Sequence, residues 1–399
     1  MSSLTTSRKA APKLGLPDDF FSFAAIKGHN PWLDVLRAIA VLLVLLRHGE
    51  RAIMGLSPEA ISVSGASPFN TLFLNGWVGV DLFLILSGYL IGKSLIKNFS
   101  KANRINVGQF FRARALRIIP AYFAVLFLII LGVFPFYNVS SENLALRVIY
   151  HMLFLQDYLP ADINVVFWSL GVEEKFYILA PLMAFILVKF KASKSAFLFL
   201  GLLFLCAPIF KMIQFLQLNT SLDYQRFFEE FRSPFHLSLE PLIIGFAISY
   251  AEIKKKYSLT TGQAKSLFLS AGFASILLLF SHNFLSQFSL WDMTGQPIAL
   301  AVLFGILVLS ATQMTQITVW AEPLWRFVSR LSYSLYLVHF ALIPLTLVLA
   351  NATSVQLFWP LYLLFSFSSA LLLHFLVEKP FLILKDRKRL KSANGALKV

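Results

Sequence analysis

Arg37 and His48 lie eleven residues apart in the largely apolar run LDVLRAIAVLLVLLRH. At 3.6 residues per helical turn, that spacing is almost three full turns. Both side chains therefore project from one face, about 16 Å apart along the axis. A neutral imidazole, with an unperturbed pKa near 6.5, can take a hydroxyl proton at neutral pH. A guanidinium can grip phosphate. Asp34, one turn before Arg37, can pair with it. The alternative is that Arg37 snorkels toward lipid headgroups and His48 is merely interfacial.

Further ionisable groups interrupt other apolar runs. GWVGVDLFLILSGYLIGK carries Asp81 and the pair Ser87-Gly88. Its glycines, Gly76 and Gly79 among them, can equally serve close helix packing. In FFRARALRIIPAYF, Arg114 and Arg117 are three apart and would share a helical face. They are expected in a loop at the cytoplasmic surface, where they could meet a phosphorylated ligand or simply supply positive charge. In FWSLGVEEKFYILAPL, Glu173 and Glu174 are adjacent and point to different faces, and Lys175 can neutralise one of them. In LSYSLYLVHF, Tyr333, Tyr336 and His339 step by three along one face, as a site or as an aromatic packing stripe. His374 and Glu378 read as a structural ion pair. His29, His151, His236 and His282 form no constellation. No HExxH-type spacing occurs, so no metal is argued.

These residues must be positioned by membrane helices. The sequence is 57% hydrophobic and only 14% charged, with a mean hydropathy of +0.71. A soluble domain carries about 25% charged residues. Such a chain can present an apolar exterior only to lipid. Ten segments approach the roughly 20 apolar residues that a crossing needs: 32–49, 76–96, 118–136, 166–188, 195–216, 236–252, 266–283, 297–314, 332–350 and 357–377. The weakest, 236–252, is short and contains Glu240 and Pro241. The stretch 142–158 is amphipathic and suits a membrane surface. The first 30 residues hold no apolar core of a signal peptide. Cys206 is the single cysteine, so no intramolecular disulfide forms.

The formal charge of +15 is not spread over a nucleic-acid surface. It clusters in alternate loops: Lys93, Lys97, Lys101, Arg104, Arg112, Arg114 and Arg117; Lys189, Lys191 and Lys194; Lys254, Lys255, Lys256 and Lys265; Arg326 and Arg330. The C-terminal tail is basic too. The opposite loops hold mainly Arg51, Arg147, Arg226 and Arg232. The positive-inside bias then selects both termini inside. The expected fold is all-α: a polytopic integral membrane protein with about ten transmembrane helices, N-in and C-in. Its expected parts are a cytoplasmic tail (1–30), a transmembrane domain (31–380) and a basic cytoplasmic tail (381–399), set in the cytoplasmic (inner) membrane.

The ordered series LDVLRAIAVLLVLLRH, GWVGVDLFLILSGYLI, RALRIIPAYF, FWSLGVEEKFYILAPL, LSYSLYLVHF and VEKPF resembles the integral membrane acyltransferase 3 family. Each motif alone is weak; six in order over roughly 30–380 are specific. The resemblance implies transfer of an acyl group, commonly acetyl, from cytoplasmic acyl-CoA to a hydroxyl of a glycan, lipid-linked sugar or small molecule. It implies no tightly bound cofactor, with acyl-CoA (acetyl-CoA) as co-substrate. It makes His48 the essential histidine and Arg37 its partner on the same helix. It assigns Arg114, Arg117 and Ser87 to the acyl donor and matches Glu173 to the glutamate after the Trp-Ser-Leu triplet. Asp34, Trp168, Tyr336 and His339 are candidates for lining the cavity or touching the acceptor. Two positions depart from the pattern: Leu84 replaces the second of paired phenylalanines, and Arg47 stands where an apolar or aromatic residue is usual. Many relatives append a hydrolase-like domain; here the membrane part alone is expected.

On this reading His48 is the general base, and Glu173 or Asp81 orients it or grips the acceptor. Arg114 and Arg117 hold CoA phosphates, and Arg37 holds the thioester arm or its phosphates. An acyl-histidine route stays open. The rival class is a transporter, since buried charges suit a carrier too, although no matched half-repeats are evident. A non-catalytic scaffold explains so many intramembrane charges least well.

Overall fold

A computed structural model describes residues 23, 29–56, 68–102, 106–190, 192–219, 222–281, 288–314 and 318–385. Most of both expected tails, residues 57–67, and His282 lie outside these residues. Every regular element among them is helical, in keeping with an all-α polytopic membrane protein. The longer elements are α1 (Pro31–Leu56), α2 (Pro68–Leu74), α3 (Gly79–Ala102), α4 (Val107–Ile130), α5 (Leu144–Met152), α6 (Trp168–Lys189), α7 (Ser193–Leu216), α8 (Leu239–Ile253), α9 (Thr261–Ser281), α10 (Gln296–Gln313), α11 (Glu322–Val338), α12 (Ile343–Thr353) and α13 (Phe358–Leu373).

Among the described residues, six helical segments are long and apolar enough to cross a membrane, or seven if the bent pair α11–α12 counts as one span. The remaining expected crossings fall short for physical reasons. α1 and α6 are long enough but carry the charges that the sequence singles out. α8, at 15 residues, is shorter than a typical crossing. All three pack against other helices of the bundle. α8 packs along α3, α1 against α11 and α3, and α6 against α3. The span through α2 and α3 is 78% buried over its apolar window, whereas that of α9 is 22% buried. The lipid-facing side is visible on α7, where Leu198, Leu202, Leu205, Ile209, Ile213 and Leu216 are exposed at helical spacing. Glu240 on α8 is accommodated by an ion pair with Lys211 of α7 at 2.7 Å, both side chains buried.

Glycines set the closest approaches. A Cβ at Gly88 would lie 2.2 Å from the Leu242 carbonyl oxygen, and one at Gly245 would lie 2.0 Å from that of Ile85. Gly76 and Gly79 likewise face the carbonyls of Leu43 and Ala40 at 2.1 and 2.3 Å. Their packing role is therefore real, and α1, α3 and α8 approach backbone to backbone.

Two boundaries differ from expectation. The arginine-rich stretch before 118 is helix and not loop. Asn106 accepts the Gln109 amide at 2.9 Å and caps α4, and the RARALR run contains no breaker. Residues 332–350 are likewise no single straight helix. α11 starts at Glu322, and the pair bends by 59° at a 3-10 turn, Phe340–Leu342. Pro344, which lacks an amide and crowds the carbonyl of Phe340, explains the break. α5 is short, with Arg147, Tyr150 and His151 buried and Leu146, Ile149 and Met152 exposed, which is the amphipathic pattern expected at 142–158.

Candidate active site

Two open cavities lie side by side in the bundle. The first, about 550 Å3, is lined by His48 and Arg47 of α1, Trp77 just before α3, Trp168 of α6, and Tyr224, Phe227, Phe228 and Arg232 of the segment between α7 and α8. The second, about 670 Å3, is lined by Arg37 of α1, Ser87 of α3, Arg117 of α4, Glu173 and Tyr177 of α6, and Tyr333 of α11. Val80 and Tyr336 line both, so these two side chains form a shared wall. The spacing on α1 thus assigns Arg37 to one chamber and His48 to the other.

The Arg37 chamber has a polarised lining. Ser87 donates to Glu173 at 2.5 Å, and Tyr177 donates to the same carboxylate oxygen at 2.6 Å. Glu173 is thereby fixed in place and fully engaged on that oxygen. Arg37 and Arg117 form no hydrogen bond or ion pair among the described residues. Two guanidinium groups with no carboxylate partner on one cavity wall present donors to an anion. Arg114 stands behind this wall, its guanidinium 5.4 Å from the Tyr177 ring and 5.7 Å from the Phe110 ring. The expected arginine pair is therefore split, and only Arg117 lines the cavity.

The His48 chamber is aromatic and cationic. The His48 ring is half-buried and makes no hydrogen bond among the described residues. Its ring neighbours are His339, at 5.3 Å between centroids, and Phe340, at 5.1 Å. Both come from the bend after α11, so Pro344 indirectly places them. His339 Nδ1 is 3.0 Å from the carbonyl oxygen of Leu335, which puts the proton on Nδ1 and leaves the buried Nε2 without a partner. Tyr336 donates to the Val166 carbonyl at 2.7 Å, and its hydroxyl lies 2.6 Å from Ser169 Oγ. The wall between the chambers is therefore anchored to α6.

Several expected pairings are replaced. Asp34 does not pair with Arg37: it accepts from Ser329 at 2.7 Å and pairs with His29 at 3.0 Å, and it lines neither cavity. The side chain leaves α1 toward α11, away from the face shared by Arg37 and His48. His29, expected in no constellation, gains this partner. Lys175 neutralises neither Glu173 nor Glu174; it pairs with Asp157 at 2.5 Å and donates to the Phe154 carbonyl at 2.7 Å. Asp81 does not reach His48. It pairs with Arg232 at 2.8 Å, and the Arg232 guanidinium lies over Trp77 at 4.8 Å and Trp168 at 5.1 Å. Glu173 does not touch His48 either. His374 and Glu378 do pair, at 2.8 Å, and Ser334 joins them at 2.8 Å.

A family model described as an acyltransferase domain matches residues 30–378, almost the whole bundle. The chain belongs to the acyltransferase 3 family. Curated relatives of this acyltransferase 3 chain include a peptidoglycan O-acetyltransferase, OatA, of Listeria monocytogenes, 27% identical over 345 residues, covering 79% of this chain and 50% of that protein. An O-acetyltransferase, also OatA, of Staphylococcus aureus is 27% identical over 358 residues, covering 83% of this chain and 53% of that protein. The chain thus spans about half the length of the curated relatives it matches. No solved structure matches it.

Arg232, Tyr224 and the paired Phe227-Phe228 belong to the chamber without being expected there. By sequence Arg232 falls among the loop cations. The available signal is Asp81: a carboxylate inside an apolar span needs a cation, and Arg226 and Arg232 are among the few on that side. Phe227–Arg232 forms a turn of π-helix, which no local propensity announces. Leu84, the other departure from the family pattern, is buried and lines the Arg37 chamber.

Proposed function

We propose that this protein is a multi-pass O-acyltransferase of the cytoplasmic membrane. It would move an acyl group, acetyl in the first instance, from cytoplasmic acyl-CoA to a hydroxyl of an envelope glycan, lipid-linked sugar or small molecule. Ten crossings with both termini inside complete this reading, with α1, α6 and α8 as the three charged or short crossings.

The observation that carries it is the pair of chambers. One holds two guanidinium groups, Arg37 and Arg117, that form no ion pair among the described residues; the other holds a half-buried imidazole, His48; Tyr336 and Val80 line both. CoA is polyanionic, and a charged grip at one end with chemistry about 16 Å further along α1 suits a long pantetheine arm. The acceptor O–H loses its proton to His48 as oxygen attacks the thioester carbonyl carbon. The tetrahedral intermediate collapses with cleavage of the C–S bond, and protonated His48 returns the proton to the thiolate, giving the ester and CoA thiol. Arg47 and Arg232 line the same chamber and give it the positive potential that draws an anionic reactant toward His48. Ser87 and Tyr177 hold Glu173 beside the donor arm. The relatives named peptidoglycan O-acetyltransferase and O-acetyltransferase agree with this chemistry.

The test is acceptor-dependent release of CoA thiol from acetyl-CoA by purified protein supplied with an envelope glycan extract. Wild type should release thiol, and His48→Ala should fall at least about a thousandfold, the scale of losing an essential acid–base group. Glycan flux across vesicles without thiol release would instead establish a carrier.

A further inference from the structure

The His48 chamber contains a cation with no carboxylate to balance it. Arg47 is 5% exposed and lines the cavity, yet it forms no ion pair among the described residues. Its described polar neighbour is Tyr224, a neutral phenol whose ring centroid lies 5.7 Å from the Arg47 Cζ. Arg51 lies over the same ring at 4.0 Å. A phenol offers a guanidinium only its ring face and one oxygen acceptor, whereas the guanidinium carries five N–H donors and a full charge. The other lining cation, Arg232, is paired with Asp81 on Nη1, while its buried Nη2 has no hydrogen-bond partner. Among the described residues, no aspartate or glutamate lines this chamber. A guanidinium held in a low-dielectric wall without a counter-ion is unfavourable until an anion arrives. Arg47 is also the residue immediately before His48 and shares its cavity, so an acceptor placed for proton removal by His48 sets its neighbouring substituents against Arg47.

We propose that the acceptor is an acidic sugar: its reactive hydroxyl sits at His48, and an oxyanion substituent, carboxylate or phosphate, is bound by Arg47 and the free N–H of Arg232, with the sugar ring against Trp77 and Trp168. Both indoles line the chamber and carry the Arg232 guanidinium over one face, at 4.8 and 5.1 Å, so an anion bound by Arg232 brings its sugar ring beside them. The charge arithmetic selects the anion: the lining has two guanidinium groups and Asp81 balances one, leaving a single charge that one carboxylate or phosphate ester neutralises. This inference names the acceptor class for the transfer proposed above and rests on that reading for the role of His48, but the binding site itself does not depend on turnover.

The test is therefore equilibrium binding to purified full-length protein in detergent, followed by tryptophan fluorescence and calorimetry. The probes are methyl glucuronide, glucose 1-phosphate and their neutral counterpart methyl glucoside. At least one acidic probe should bind tenfold or more tightly than the neutral one, and the margin should shrink as salt is raised. Arg47→Met should abolish the margin, while Arg47→Lys should keep part of it. A glucuronide preference assigns a carboxylate, and a glucose 1-phosphate preference assigns a phosphate. Equal affinities for all three, no binding of any, or a margin unchanged in Arg47→Met each overturns the proposal. The wild-type comparison needs no variant, so it decides the matter even where Arg47→Met misfolds. Acidic-probe binding without any thiol release from acetyl-CoA would instead sink the transferase reading and leave the acidic-sugar site standing.

Discussion

At the level of single residues, several charges of the bundle have a partner within the protein, and others line a cavity. Asp34, Asp81, Lys175, Lys211, Glu240, His374 and Glu378 are paired within the protein. Arg37, Arg47, His48 and Arg117 line the chambers with no carboxylate partner among the described residues. That division separates structural charges from those available to ligands, and sequence spacing alone does not make it. The i, i+3 rule suggests Asp34 with Arg37, and adjacency suggests Lys175 with the two glutamates, but tertiary partners win in both cases. Spacing does place Arg37 and His48 correctly on a cavity-facing side, because eleven residues in a regular helix admit one geometry. Arg117→Ala and Arg37→Ala should each weaken acetyl-CoA binding about ten- to a hundredfold, the worth of one charge-assisted hydrogen bond. Arg114→Ala, behind the wall, should weaken it less. Titration of wild type and variants with acetyl-CoA checks this, and equal affinity in all four proteins argues against the Arg37 chamber as the donor site.

Among the elements, close packing of α3 on α8 and the break after α11 shape the site. Gly88 and Gly245 meet opposing backbone carbonyls, so no side-chain rotation can relieve an added methyl. Gly88→Ala or Gly245→Ala should lower stability by about 1–3 kcal/mol, as overpacked cores do. Gly201→Ala on α7, with nothing within 4 Å of its Cβ position, should not. Thermal unfolding in detergent distinguishes the two; a Gly88→Ala protein as stable as Gly201→Ala contradicts the packing. Helix existence is legible from the apolar runs: each expected span falls on helix among the described residues, with 332–350 divided between α11 and α12. The boundaries are less so. α4 extends back through its arginines because nothing there opposes helix. The bend at Phe340–Leu342 is signalled by Pro344, but its consequence, His339 and Phe340 brought beside His48, depends on how α12 packs after the bend. The π-turn carrying Phe227 and Arg232 has no periodic signature at all.

For the molecule as a whole, the uneven basic loops and the two chambers point the same way. If both termini are cytoplasmic, the Arg37 chamber opens toward the face rich in lysine and arginine, and the His48 chamber toward the other. Reporter fusions at residue 1 and residue 399 should therefore both report a cytoplasmic location; reporters on opposite faces would contradict an even number of crossings. The composition demands a lipid-exposed exterior, and the exposed leucines of α7 agree with it. The chemistry of the ligand is not legible in the sequence, because it depends on which cations remain unpaired after folding. Transfer across the membrane is tested most directly in proteoliposomes of defined orientation, with acetyl-labelled acetyl-CoA supplied only on the face bearing the termini and envelope glycan enclosed on the other. Wild-type protein should place label on the enclosed glycan, and His48→Ala should place none. Labelling that requires donor and acceptor on the same face, or that persists in His48→Ala, would contradict transfer through the two chambers.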